Sequence, residues 1–330
     1  MERILITGGT GFVGTHLIQF LRTKTSKIFV LTSRSKASPP DTEVEYYPLD
    51  LRRRDEVNSV VRHVSPDQIY HLAGISAVDI SWSNPRLTFE INVLGTYNLF
   101  EAAMNLPSPP RVLNVSTSQV YDRSGGILTE NSPVNPNNPY AASKAMAELL
   151  LVTYRNCTTG GIITSRSFNH SGPGQQPTFV MSSMAKQFAE IEAGLRPPRL
   201  SVGNIQVKRD FTDVRDVVRA YIALLAKGRT GEVYNVCSGS AVLLADVVEK
   251  FRALCGTAVK IDIDPACVRA NEMSIIQGDS SKIRKETGWS PQIALGKTVR
   301  DLLDYWRGKI REGERGSMAT HFDGLSYPKE

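Results

Sequence analysis

The stretch Arg3-Ile4-Leu5-Ile6-Thr7-Gly8-Gly9-Thr10-Gly11-Phe12-Val13-Gly14 decides how the chain is read. An apolar strand runs straight into four glycines, and apolar residues at 13, 17, 18, 20 and 21 then recur at helical spacing. Glycines let the backbone turn tightly and let a phosphate come close to the main chain. The helix that starts behind them offers unpaired N–H groups to an anion. A glycine turn in this strand-to-helix context reads as a dinucleotide-binding turn, whereas the same glycines without the flanking pattern would be structural only.

Working outward, strand-like runs at 3–7, 28–32, 43–47, 68–72, 111–115 and 162–166 alternate with helical patterns around 13–22, 55–63, 86–104 and 141–155. Such alternation builds right-handed crossovers between parallel strands, with helices on both faces. The expected fold is therefore α/β: a doubly wound parallel sheet of the Rossmann type with a smaller C-terminal substrate-binding α/β domain. The first domain is expected over 1–165 and the second over 166–330, with 212–238 returning to the first. Gly172-Pro173-Gly174 reads as a loop, 178–194 and 213–227 as helices and 199–207 as an extended segment.

Composition narrows the class. The chain has 330 residues, 41% of them hydrophobic, enough for an ordinary packed core. No apolar run approaches the ~20 residues of a membrane span, and the first residues are strand and turn instead of a charged leader, so the expected compartment is the cytoplasm. The formal charge of +6 is spread along the chain without aromatic interleaving, which favours a solvated surface or an anionic substrate over nucleic acid. The four cysteines form no Cys-x-x-Cys pair and the five histidines no ligand spacing, so neither disulfides nor a metal are expected.

Two further segments carry chemistry. Tyr140 and Lys144, in Pro139-Tyr140-Ala141-Ala142-Ser143-Lys144, fall on one face of a helix. An ammonium beside a phenol favours the phenolate, so the expected effect is a lowered tyrosine pKa and a usable acid or base for carbonyl–alcohol interconversion. Tyr-x-x-x-Lys alone is also an ordinary solvated helix pair. Ser116-Thr117-Ser118 lies at the end of an apolar strand, where ligands bind in open α/β sheets; its hydroxyls would either hydrogen-bond a substrate oxygen or cap the next turn.

Together with the glycine turn, these residues resemble the extended branch of the short-chain dehydrogenase/reductase superfamily, the NAD-dependent epimerase/dehydratase type that acts on nucleotide sugars. The likeness also takes in Asp50-Leu51, His71 to Gly74, Asn92 to Thr96, Ser116 to Tyr121 and Arg209 to Asp216. Within that branch, 166–175, 178–180 and 202–216 are most similar to enzymes that handle GDP-linked deoxyhexoses. The resemblance implies a cofactor site of Gly8, Gly11, Phe12, Val13, Gly14, Asp50, Leu51, Leu72, Ala73 and Gly74, with Tyr140 and Lys144. It implies Tyr140 as proton donor, Lys144 on the nicotinamide ribose and Thr117 on the substrate oxygen. Ser118, Gln119, Asn169, Val180, Lys186, Arg209, Arg269 and Glu272 are the implied substrate contacts, with Arg209 and Arg269 on phosphate, Glu272 on ribose hydroxyls and Lys186 as readily a surface ion pair. It further implies a homodimer formed through 86–104 and 140–156.

One departure separates subclasses. Where the dehydratases of this branch carry a glutamate two residues after the threonine, this chain has Gln119, and an amide cannot do that acid–base work. The implied reaction is reduction of the C4 keto group of a GDP-linked 4-keto-6-deoxyhexose. The cofactor follows from Thr32-Ser33-Arg34-Ser35-Lys36, which holds no acid for a ribose 2′-hydroxyl. Ser33 and Arg34 fit a 2′-phosphate, so NADPH is expected and NAD stays open. Another nucleotide-sugar epimerase or 4-reductase, a 4,6-dehydratase and a non-catalytic cofactor sensor are the alternatives.

Overall fold

The computed structural model describes residues 2–22, 26–32, 44–122, 126–150, 154, 160–265 and 273–315. Seven strands form one parallel sheet: β1 (Glu2–Thr7), β2 (Ser26–Thr32), β3 (Val44–Pro48), β4 (Gln68–His71), β5 (Arg111–Thr117), β6 (Gly161–Ser167) and β7 (Val233–Val236). Their order is β7-β6-β5-β4-β1-β2-β3, so the winding reverses between β1 and β4. Both faces are covered, which is why β1 reads as an unbroken apolar run. Ile4 and Ile6 pack with Leu17, Leu21 and Leu224 on one face, while Leu5 packs with Phe29, Ile69 and Phe100 on the other.

At the reversal the glycine turn meets the segment after β4. Gly8 has φ of +69°, and a Cβ there would lie 2.8 Å from the Ala73 nitrogen. The helix Phe12–Leu21 begins at Gly11, which supplies no side-chain cap, and its first turn holds no acid. Gly14 packs that helix onto the turn, since a Cβ would stand 2.5 Å from both the Cα and the carbonyl oxygen of Gly9.

Beyond β6 the chain builds a second core. Met181, Met184 and Phe188 of the helix Val180–Glu192 pack with Val247, Val248 and Phe251 of Leu244–Leu254 and with Val299, Leu302 and Leu303 of Leu295–Arg315. A small sheet orders Ala241–Leu243, Lys208–Asp213, Ile275–Gly278 and Ile127–Leu128, with Asn169–Ser171 also paired to Lys208–Asp213. The helix Val214–Lys227 returns to the first core, where Val217, Val218, Tyr221 and Leu224 pack, and β7 joins the edge of the main sheet beside β6.

The expected helix over 86–104 runs without interruption from Pro85 to Met104, with a wide π turn, Glu90–Gly95, between Pro85–Phe89 and Thr96–Met104. At this turn the Asn92 side chain points inward and bonds the main chain of Ile75, while its main-chain carbonyl accepts from the Thr96 hydroxyl at 2.7 Å. The pattern at 141–155 is a helix over Pro139–Leu150.

Because the neighbour of Gly14 is backbone that cannot swing away, Gly14→Ala is expected to destabilise the ligand-free protein by about 1–3 kcal/mol. Thermal unfolding checks this, and an unchanged midpoint would mean that the helix shifts at no cost.

Candidate active site

Strand β5 ends at Thr117, and the helix Pro139–Leu150 lies across that end. Asn138 starts the helix: its Oδ1 accepts from the Ala141 N–H at 2.9 Å, and Pro139 begins the helical residues, where a missing N–H does no harm. Tyr140 and Lys144 follow one turn apart on the buried face. Thr117, Tyr140 and Lys144 are each only 7% exposed.

The Lys144 ammonium donates to the Val115 carbonyl oxygen at 2.9 Å. It also lies beside Gly74, where an added Cβ would sit 3.4 Å from Nζ. Burial pulls the lysine pKa down from its ordinary value to about 8, against the opposing charge of Glu148. Tyr140 differs from expectation. Burial pushes its phenol up to about 12, and a hydrogen bond with the Thr117 side chain only partly offsets this. Desolvation outweighs that hydrogen bond, so in the ligand-free protein the phenol stays protonated at neutral pH. That is the form a proton donor needs.

Gln119 sits in the short turn Ser118–Val120 that follows β5, and its Oε1 accepts from Asn138 Nδ2 at 3.2 Å. The residue that caps the Tyr140 helix therefore also fixes the amide beside Thr117. Asn92, quoted above within 92–96 but given no role there, braces the same helix. Its Oδ1 accepts from the Ile75 N–H, and its Nδ2 donates to the Ile75 carbonyl and, at 2.9 Å, to Ser143 Oγ. Ser143 in turn bonds the Tyr140 carbonyl. From Thr96 the chain of bonds continues to His71 Nε2 at 2.8 Å and from His71 Nδ1 to the Thr7 hydroxyl at 2.7 Å, so the last residue of β1 is tied to the Tyr140 helix. Burial holds His71 neutral, with its pKa down to about 3.

The glycine turn fits a dinucleotide diphosphate: the first-turn N–H groups after Gly11 carry no side-chain cap, and a Cβ would fill the cradle at Gly8. Phe12 stacks on His170 at 6.1 Å between centroids, so the residue that follows Asn169 in the chain lies against this turn. Leu72 donates its N–H to the Thr7 carbonyl, and Ala73 donates to the Thr7 hydroxyl. The Asp50 carboxylate is held by Arg52 at 2.6 Å, and the Leu51 carbonyl accepts from Asn98.

Other expected residues stand apart. Lys186 faces Glu190 at 3.6 Å and the Trp306 ring, and Arg209 directs Nη1 to the carbonyls of Lys208 and Met273. Neither contact belongs to the Thr117–Tyr140–Lys144 group. Val180 opens its helix and is 41% exposed. Ser33, Arg34, Arg269 and Glu272 lie outside the described residues.

The family profile described as GDP-mannose 4,6 dehydratase matches residues 5–302. The chain belongs to the GDP-mannose 4,6-dehydratase family. A family relative, the GDP-6-deoxy-D-mannose reductase of Pseudomonas aeruginosa, is 34% identical over 317 residues, which cover 94% of this chain and 99% of the relative. A GDP-mannose 4,6-dehydratase of Vibrio cholerae is 27% identical and covers 91% of this chain and 92% of its own length. Among solved structures, RMD from Pseudomonas aeruginosa complexed with NADPH superposes with a TM-score of 0.82 at 32% identity, over 93% of this chain and all of that one. Family membership makes the protein an oxidoreductase-type enzyme of nucleotide-sugar chemistry.

Asn92 bonds the main chain of Ile75 through both side-chain atoms and also Ser143. Asn92→Ala is expected to cost roughly 1–3 kcal/mol for the buried partners left unpaired. Urea unfolding measures it, and a midpoint equal to that of the unaltered protein would remove Asn92 from the stability account.

Proposed function

We propose that this enzyme reduces the C4 keto group of GDP-4-dehydro-6-deoxy-D-mannose to give GDP-D-rhamnose, with NADPH as reductant. The observation that carries the reading is Gln119: a neutral amide, pinned by Asn138, beside Thr117 and a buried, protonated Tyr140. Dehydration needs a carboxylic acid at that place to take one proton and to help expel water, and reduction does not. The identity to the Pseudomonas reductase, 34% against 27% for the Vibrio dehydratase, supports the same choice.

In this reading the turn residues Gly8, Gly11, Phe12, Val13 and Gly14 hold the cofactor diphosphate. Ser33 and Arg34 hold the 2′-phosphate, Asp50 and Leu51 flank the adenine, and Leu72, Ala73 and Gly74 line the way to Lys144. Bound there, NADPH supplies a hydride. Thr117 orients the substrate carbonyl by a hydrogen bond, and Tyr140 delivers its proton to the oxygen as it becomes an alkoxide. Lys144, charged below about pH 8, stabilises the phenolate left behind. Ser118 and Gln119 meet the sugar at the end of β5, while Asn169, Val180 and Arg209, with Arg269 and Glu272, bind the GDP-sugar on the 166–330 side of the crevice, and Lys186 is the most peripheral of the set.

We also propose a homodimer. Leu94 and Tyr97 on one segment, Met146 and Leu149 on the neighbouring helix, and Trp82 nearby leave large apolar side chains in solvent, Leu149 at 69% and Trp82 at 62%. A second copy of the same face would cover them.

The two GDP-sugar reactions are separated by substrate. The protein is expected to oxidise NADPH, and NADH far less, only when given the 4-keto-6-deoxy sugar, and to leave GDP-mannose unchanged. Tyr140→Phe should lower the rate by ~10²–10⁴. Conversion of GDP-mannose to the 4-keto sugar without net use of cofactor would replace the reductase reading with the dehydratase. For the assembly, light scattering at micromolar concentration should give twice the 36.4 kDa chain mass, and a monomer would end the dimer proposal.

A further inference from the structure

One ion pair beneath the Tyr140 helix has no part in the reading above. Glu148 continues the face of Tyr140 and Lys144 by one more turn. Its carboxylate meets Arg166 of β6 in a forked contact: Nε lies 3.2 and 3.1 Å from the two oxygens, and Nη2 lies 2.6 Å from Oε2. Both side chains are more than nine-tenths buried. Glu148 Oε1 also accepts from the hydroxyl of Ser116. Ser116 lies between Val115, whose carbonyl receives the Lys144 ammonium, and Thr117. Arg166 is fixed in turn, since its guanidinium lies over the Tyr121 ring at 4.6 Å and the Tyr121 hydroxyl donates to Asn235 of β7 at 2.6 Å.

A buried ion pair of this kind is weak evidence for stability, because well-packed neutral groups often serve as well. Its place is more informative. The carboxylate reaches the one strand that presents both the lysine's carbonyl partner and the threonine hydroxyl. We propose that Glu148, clamped between Ser116 and Arg166, is a positioning residue that supplies the counter-charge for the Lys144 ammonium and holds the end of β5 in register with Tyr140.

The surroundings of Lys144 make that counter-charge consequential. On its own helix it has Tyr140 and Glu148. From β4 it meets His71, which burial keeps neutral. From the 90–95 turn it meets the uncharged Asn92 by way of Gly74, while Glu90 is held by Arg86 and Arg52. From β6 comes Arg166, already paired with Glu148, with Tyr121 beside it and Glu130 bonded to the Asn235 N–H. From the helix Val214–Lys227, Tyr221 lies within electrostatic reach of Tyr140 and is itself bonded to Ser167. Glu148 is thus the carboxylate that acts on the lysine, and it opposes the effect of burial.

This inference rests on the reductase reading for its consequence in turnover, but its test does not need that reading. In the ligand-free, full-length protein labelled at lysine with ¹⁵N and ¹³C, the Lys144 resonance, assigned by its loss in Lys144→Arg, is followed against pH. Glu148→Gln is expected to lower its titration midpoint by about one unit. Should that variant fail to fold, Glu148→Gln/Arg166→Met removes both buried charges together, and its midpoint should still move down because the carboxylate is the charge that acts on the lysine. Glu148→Asp should restore most of the shift. A Lys144 midpoint that stays at its original value in a folded variant overturns the proposal. In steady-state assays the alkaline limb of kcat should move down with the NMR midpoint while KM for the nucleotide sugar holds. A moved midpoint with no reduction of any 4-keto sugar would count against the reductase reading alone.

Discussion

Placing a lysine ammonium out of water against the end of a β-strand is the constraint on which this molecule turns. An isolated buried charge costs several kcal/mol, and the surrounding structure is arranged to offset that. The Val115 carbonyl accepts a hydrogen bond, Glu148 supplies an opposite charge, and Gly74 leaves room that a side chain would take. Even so, burial prevails at both groups: Lys144 is pulled down to about 8 and Tyr140 pushed up to about 12. The result is a pair in which the phenol holds its proton and the amine is poised to lose one.

Holding the pair in place requires more than the helix that carries it. Asn138 caps the helix and grips Gln119, Asn92 reaches Ser143 from the π turn, and Glu148 ties the third turn to Ser116. The bonds through Thr96, His71 and Thr7 extend this frame to β1, where the glycine turn starts. A dinucleotide seated on that turn and a carbonyl placed at Thr117 would therefore be referred to one rigid assembly. Such second-layer support is what keeps reacting groups within a fraction of an ångström of a productive arrangement.

The proposed reaction turns on a small feature within this frame. A carboxylic acid and an amide at residue 119 occupy similar volume and make similar hydrogen bonds to Asn138, but only the acid exchanges a proton near neutral pH. In the proposed reading the fold does not decide between reduction and dehydration, and one functional group beside Thr117 does.

Much of this was legible in the chain alone, because it depends on neighbours close in sequence. The glycine turn, the alternation of strand and helix, and the single face shared by Tyr140 and Lys144 are all consequences of local spacing, as is the identity of Gln119. The parallel sheet follows from that alternation, since crossovers allow little else. Tertiary structure decided the rest. The π turn within the 85–104 helix carries Asn92, which reaches Ile75 across a loop, and the Glu148–Arg166 contact joins residues that meet only because the helix Pro139–Leu150 packs on β5 beside β6. The expected fall in the Tyr140 pKa was reversed for the same reason. A neighbouring charge can be read from spacing, but the dielectric around it depends on what packs above it, and that exists only once the chain has folded.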